Sequence, residues 1–376
     1  MMNYDIKKSQ SVIWDLLEKT IENNKIGNAY LFSGPSGVGK EAMAIEYGAA
    51  INREHLKDDK SLAEASYTRF KTLQHELLKL IVPLPVGKTQ KNNVNILESL
   101  NNADLELLKY NIEQKSINPF HKISLPNATR IRINSIRELR KSLYLKSNDI
   151  GRKIVLIFDA HLLNAGQAES ANALLKILEE PPPITTLILV TDNKNQLLPT
   201  ILSRCQHIDF PPLTKETIKN TLLENNIESE SAELIAGISQ GDLRKALEIS
   251  KDSIENLIKL IQELSTSVIK EDGKGWRKFV TDKSQVIRKD VSAFEYQIFL
   301  LQLWFKSVFR LRIGVSDELQ RPELMNFMHQ FNQKYPKADL HKIDVLLEDS
   351  IEAIGKNLYM SLILTNLLVN IQRHLK

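Results

Sequence analysis

Hydrophobic positions follow two regimes along this chain. In the first part, short unbroken apolar runs alternate with segments of helical period; in the last part only the helical period remains. The unbroken runs are Ala29-Tyr30-Leu31-Phe32, Lys153 to Asp159 and Thr185 to Thr191. A run without polar alternation predicts a strand covered on both faces in a parallel sheet. Residues 9–26 predict an amphipathic helix with Val12, Ile13, Leu16, Leu17 and Ile21 on one face. A second helix is predicted with Ile136, Leu139 and Leu143 on one side. A third runs from about Gln167 to Glu180 and is stopped by Pro181-Pro182-Pro183. Residues 53–128 are polar and rich in lysine and asparagine. Their prolines keep Ile81 to Gly87 out of any helix, and the whole stretch reads as an irregular insertion that leaves and rejoins the core fold. Residues 213–250 predict a small helical part. From about 253 onward the pattern is helical, with Trp304, Phe305, Leu358, Leu362 and Leu367 among its apolar positions. The expectation is an α/β domain over 1–212, with its insertion, then all-α parts over 213–252 and 253–376.

Composition narrows the class. The 376 residues are 42% hydrophobic and 26% charged, ordinary for a globular chain with a sizeable core. A net charge of +4 permits contact with nucleic acid without demanding it. The single cysteine, Cys205, excludes an intramolecular disulfide and any multi-thiolate zinc site, and fits a reducing, cytoplasmic setting. The N-terminus has no apolar signal core, and no run of about 18 apolar residues predicts a membrane span.

The chemistry concentrates where the first run ends. Gly34 to Glu41 reads G-P-S-G-V-G-K-E, against the nucleotide-triphosphate loop G-x-x-x-x-G-K-[ST]. Gly34, Gly37 and Gly39 let backbone N–H groups turn inward, the next helix adds its positive end, and Lys40 is placed to reach the β- and γ-phosphates. The eighth position, which normally gives a hydroxyl to Mg²⁺, is Glu41. The run ending at Asp159 carries the second metal-side acid. The glutamate that would polarise water after it is replaced by Ala160, followed by His161. Two groups with different jobs are missing, which predicts a nucleotide site that no longer turns over. Whether it still holds ATP or ADP is left open.

Four strings carry a family resemblance: Ala29 to Gly34 leading into the loop, Ser170-Ala171-Asn172-Ala173-Leu174-Leu175-Lys176-Ile177-Leu178-Glu179-Glu180-Pro181-Pro182, Thr200 to Gln206 with its Ser203-Arg204-Cys205 triplet, and Gly241 to Leu247. Together they resemble the clamp-loader branch of the AAA+ family, and within it the delta-prime subunits of the bacterial DNA polymerase III clamp loader. The resemblance covers roughly residues 9–50 and 130–250. It implies a P-loop AAA+ domain with a parallel sheet, a small helical lid and a C-terminal helical collar that joins subunits in a ring. It implies partners of the gamma/tau ATPase and delta types, the sliding clamp indirectly, and primed DNA.

Residue by residue, the resemblance makes Arg204 an arginine finger that acts on ATP held by a neighbouring subunit. It puts Thr191 at the first sensor position and Arg244 at the second, where Arg244 either reads nucleotide or ties domains together. The basic stretch Arg130, Arg132, Arg137, Arg140, Lys141, Lys146, Arg152 and Lys153 falls where such proteins face the DNA backbone, with Arg137, Arg140 and Lys176 the leading candidates. Many relatives carry a four-cysteine zinc module near residues 50–80. This chain has only His55 and His75 there, so no zinc is expected. The function implied is a stator with little or no ATPase of its own. A catalytically active motor subunit, and a DNA-binding module on a relic nucleotide fold, are the alternatives.

Overall fold

The computed structural model describes residues 4–85, 96–145, 150–289, 291–354 and 358–376. The positions Val86, Gly87 and Lys146 discussed above lie outside them. The chain divides into two compact units, one of residues 1–226 with Gly241–Arg244, the other of Ile227–Gln240 with Lys245–Lys376.

The first unit is built on a five-stranded sheet of β1 (Ala29–Ser33), β2 (Leu78–Ile81), β3 (Lys153–Ile157), β4 (Thr185–Thr191) and β5 (Gln206–Asp209), in the order β2-β3-β4-β1-β5. Every pairing is parallel. Its helices are α1 (Ile6–Ser9), α2 (Ser11–Glu22), α3 (Lys40–His55), α4 (Lys60–Lys71), α5 (Asn102–Ile117), α6 (Ile133–Tyr144), α7 (Glu169–Glu179), α8 (Pro199–Leu202) and α9 (Lys215–Glu224). The apolar runs of β1, β3 and β4 are covered on both faces, as their composition requires. Leu31, Val155, Ile157, Leu187 and Leu189 pack with Ile136, Leu139 and Leu143 of α6 and Leu174 and Ile177 of α7. On the other side α3 lies against β1, β3 and β4, close enough that a side chain at Gly48 would press on Ile154.

Two expectations are corrected here. Residues 53–128 are not an irregular excursion: they hold α4, β2 and α5, and β2 pairs with β3 as an edge strand of the core sheet. Four residues including a lysine make too short a run for periodicity to register, and the prolines that follow lie just beyond the strand. The apolar face of α2 is also rotated from the predicted one. Ile13, Trp14 and Leu17 are buried, whereas Val12 and Leu16 stand 82% and 54% exposed. Trp14, the largest of these side chains, turns inward and carries the Lys7 ammonium 4.5 Å from its ring centroid.

The second unit is helical: α10 (Ser229–Ile238), α12 (Ile254–Ile269), α13 (Gly273–Lys289), α14 (Val291–Arg312), α15 (Pro322–Lys334), α16 (Leu340–Ile354) and α17 (Met360–Leu375), with α11 (Leu243–Ile249) carrying the chain into it. Trp304 is its centre, with Phe305 and Phe331 edge-on at 5.0 Å. Leu367 is buried; Leu358 and Leu362 are exposed. No helix among the described residues is long and apolar enough to cross a membrane.

One buried carboxylate braces the first unit. Glu46 on α3 is almost wholly buried and receives Lys7 of α1 at 2.8 Å, Lys71 of α4 at 2.5 Å and the Tyr67 hydroxyl at 2.5 Å. Burial alone would raise its pKa, but the Lys71 charge and the hydrogen bonds from Lys7, Lys71 and Tyr67 outweigh this and hold it below the usual carboxylate value. A depressed carboxylate pKa stabilises the fold fully above its unfolded value of about 4.3, and the contribution drains away as pH falls through the lower folded value. Glu46→Ala should therefore destabilise the first unit by about 2 kcal/mol at neutral pH. Urea unfolding across pH checks this: the gap to wild type narrows below the unfolded carboxylate value, and a gap independent of pH would contradict the brace.

Candidate functional site

The parallel sheet brings the motif residues to one edge. The loop Gly34–Gly39 leaves the C-terminal end of β1 and opens α3; Asp159 follows β3; Thr191 ends β4. Ligand sites of open α/β sheets lie outside the carboxyl ends of strands, where loops meet helix N-termini. The cleft here is lined by Gly37, Gly39, Lys40, Glu41, Ala42, Pro119, Phe120, Lys122, Asp192 and Arg244.

The loop glycines are required by their backbone. Gly34, Gly37 and Gly39 all have φ in the left-handed region, at +142°, +69° and +93°. A Cβ on Gly37 would run into the Asp242 carboxylate, and one on Gly39 into Ile6. Leu243 N–H donates to the Gly37 carbonyl at 3.1 Å, and Arg244 donates to the Ser36 hydroxyl. The structure thus joins Arg244 to the loop itself.

The loop's charged groups are all paired within the chain. Lys40 is 4% exposed; its Nζ donates to the carbonyls of Gly34, at 2.8 Å, and Pro35, and lies 2.7 Å from Asp192 Oδ1. The Glu41 carboxylate accepts from Lys115 of α5. The Lys115 ammonium is fully buried and also donates to the carbonyls of Pro119 and His121, each at 2.8 Å. Burial pulls its pKa below the usual amine value, and Glu41 opposes that shift. Asp159 Oδ1 lies 3.2 Å from Lys122 Nζ.

At the sensor position, Thr191 Oγ1 accepts from Asn193 N–H at 3.0 Å and sits 3.0 Å from His161 Nδ1. Burial lowers the His161 pKa, Asp159 opposing it. Ala160 is buried and brings no polar group. A magnesium-bound triphosphate does not fit this donor set as it is paired. The groups that would hold phosphate and metal face lysines, carbonyls and Asp192 of the same chain.

Arg204 lies elsewhere. It follows α8 and precedes β5, and the β5–β1 register pairs Gln206 with Tyr30 and Asp209 with Ser33. Arg204 therefore enters at the N-terminal edge of the sheet and the loop leaves at the other, with roughly 10 Å of strand between them. Its guanidinium is about one-third exposed, donating to Thr200 O at 2.9 Å and to Glu179 Oε1 at 2.9 Å. Next to it, burial pushes the Cys205 thiol up to about 12, which leaves it unreactive.

The basic stretch is divided. Arg132 donates to Ser99 Oγ, Arg152 to Thr185 O and Thr186 Oγ1, and Lys153 to the carbonyls of Leu143 and Leu145. Arg137, Arg140 and Lys141 stand exposed on α6, and Lys176 is exposed on α7. Sequence reasoning missed Lys122 and Asp192 as members of the cleft, Lys115 as the partner of Glu41, and Glu179 as the partner of Arg204. Asp192 had a signal, being the acid that follows a strand-end threonine. The lysines had none, because each meets its acid across a long stretch of chain.

This geometry is that of a parallel α/β domain with a phosphate-type loop at the carboxyl edge of its sheet. A family model for the DNA polymerase III, delta subunit matches residues 9–214, more than half of the chain, and the chain belongs to that family. It is a delta-prime-like member. It is 25% identical over 332 residues to DNA polymerase III subunit delta' of Bacillus subtilis strain 168, spanning 87% of this chain and 85% of that one. It is 27% identical over 251 residues to the subunit tau of the same organism, spanning 65% of this chain and only 36% of the length of tau. A crystal structure of a DNA polymerase III gamma subunit-related protein from Thermotoga maritima aligns with a TM-score of 0.44 at 18% identity, covering 96% of this chain and 99% of that one.

The two histidines left in the zinc-module region have separate fates. His55 is exposed at the end of α3. His75 is buried and stacked on Phe70 at 4.1 Å. Its Nδ1 accepts from Leu77 N–H at 3.1 Å, which puts the ring proton on Nε2, 3.0 Å from Ser66 Oγ. No group of three or more potential metal ligands occurs among the described residues. His75→Ala should lower thermal stability without altering metal content. Metal analysis of wild type should find no stoichiometric zinc, and a tightly held zinc lost in His75→Ala would contradict the assignment.

Proposed function

We propose that this chain is a non-catalytic stator of a DNA polymerase III clamp loader. It supports ATP-dependent loading of a sliding clamp onto primed DNA and lends Arg204 to the ATP site of a neighbouring gamma/tau-type subunit. The observation that carries this reading is the position of Arg204 at the sheet edge opposite its own loop. From there it has no route to phosphate held by this chain, and a half-open guanidinium is suited to phosphate arriving from outside. Its planar fork stays charged and pairs with phosphate oxygens two at a time. Glu179 holds it meanwhile in a partly exposed ion pair, the kind that contributes little energy and yields to a stronger anion.

In the neighbour's site Arg204 would neutralise charge that develops on the transferred phosphoryl group. The chain's own loop supports the stator half of the reading, since Glu41 and Asp159 are both paired to lysines and residue 160 has no group to orient water. A delta-type subunit completes the assembly. The exposed Arg137, Arg140 and Lys176 would approach the DNA backbone, a contact blind to sequence and weakened by salt. An active-motor reading finds no support in the pairing of Glu41.

Arg204→Ala should leave assembly intact and slow hydrolysis at the neighbouring site by about a thousandfold. In the whole complex this reads as a drop in DNA-stimulated ATPase at saturating ATP, set by how many other sites still fire. Arg204→Lys should recover little of it, because a point charge does not reproduce the fork. Equal turnover with equal assembly would remove Arg204 from catalysis.

A further inference from the structure

The cleft contains an arrangement that loss of a hydroxyl alone does not explain. In a P-loop site the divalent cation is held between the eighth loop residue and an acid at the end of another strand of the same sheet. Here those positions are Glu41 and Asp159, and each faces an ammonium group: Lys115 on Glu41, and Lys122 on Asp159 at 3.2 Å. Both lysines come from one short segment, the end of α5 and the loop after it. Phe120 lies between them, against the Tyr4 ring at 4.5 Å and beside Gly39.

We propose that Lys115 and Lys122 stand in for the metal, so that this cradle carries its own cations and has no seat for Mg²⁺. Lys115 is built in rather than merely nearby. Its nitrogen meets three acceptors, the Glu41 carboxylate and the carbonyls of Pro119 and His121, and it stands 5.2 Å from the Phe158 ring. Three acceptors around one amine nitrogen use three N–H donors, which only the protonated form has. The charge is therefore fixed on a nitrogen closed to water, and the partly buried Glu41 carboxylate is the anion that compensates it.

A dication entering between Glu41 and Asp159 would meet two ammonium groups and find both acids engaged. Glu41 thus acquires a reason: a serine or threonine in its place would strand Lys115 without an anion. The replacement at the eighth position and the lysine 74 residues on form a single substitution of ammonium for metal. This inference concerns the chain's own loop and stands apart from the role of Arg204.

The test is fluorescent ATP-analogue titration into the isolated full-length chain, with excess Mg²⁺ and with EDTA. The proposal expects the same affinity, or the same lack of binding, in both. Tightening by about tenfold or more on adding Mg²⁺, as a metal seat would give, overturns it. The paired variant Glu41→Thr with Lys115→Met restores the hydroxyl and removes the buried ammonium. It should gain Mg²⁺-dependent binding that wild type lacks, and a folded variant with no gain counts against the proposal. If that pair does not fold, the wild-type titration decides without any variant. Failure here would leave the Arg204 assay untouched, because no neighbouring subunit is present.

Discussion

A lysine ammonium with no access to water must find an anion within the protein, and in this chain Lys115 finds Glu41. Removing Glu41 leaves that ammonium buried and uncompensated, at a cost of several kcal/mol. That constraint fastens α5 and its following loop to the first turn of α3. It sets Phe120 beside the phosphate-type loop and brings Lys122 to Asp159. The cleft is thereby a packed joint between a nucleotide-binding scaffold and the segment that a purely sequential reading took for an insertion.

On the proposed reading, the two halves of phosphoryl-transfer chemistry are separated along this chain. The groups that would serve its own nucleotide are tied up internally: Lys40 on Asp192 and two loop carbonyls, Thr191 on Asn193 and beside His161. Arg204 remains at the opposite sheet edge, held only through a partly exposed pair with Glu179 and a backbone carbonyl. That arrangement is what the proposed stator role would use.

Much of this was legible in the residues. The strands at Lys153–Ile157 and Thr185–Thr191 stood out because burial on both faces leaves no polar alternation. The loop and its missing hydroxyl could be read from spacing alone. β2 could not, since four residues with a lysine among them carry no period. The face of α2 was misjudged because Val12 and Leu16 fit the helical stripe as well as Trp14 does, and which side is buried depends on tertiary packing. Lys115 and Lys122 were invisible for another reason. An ion pair spanning 74 residues leaves no local pattern; it depends on where a whole helix is packed.

The central claim is that the chain contributes to its complex through Arg204 and not through its own loop. The most direct measurement is the rate of clamp loading onto primed DNA by a complex assembled with Lys40→Ala. In an ordinary P-loop subunit this change abolishes function, because the lysine carries the β- and γ-phosphates. Here the rate should match wild type, while the same complex with Arg204→Ala loads slowly. A loss from Lys40→Ala as deep as that from Arg204→Ala would contradict the account.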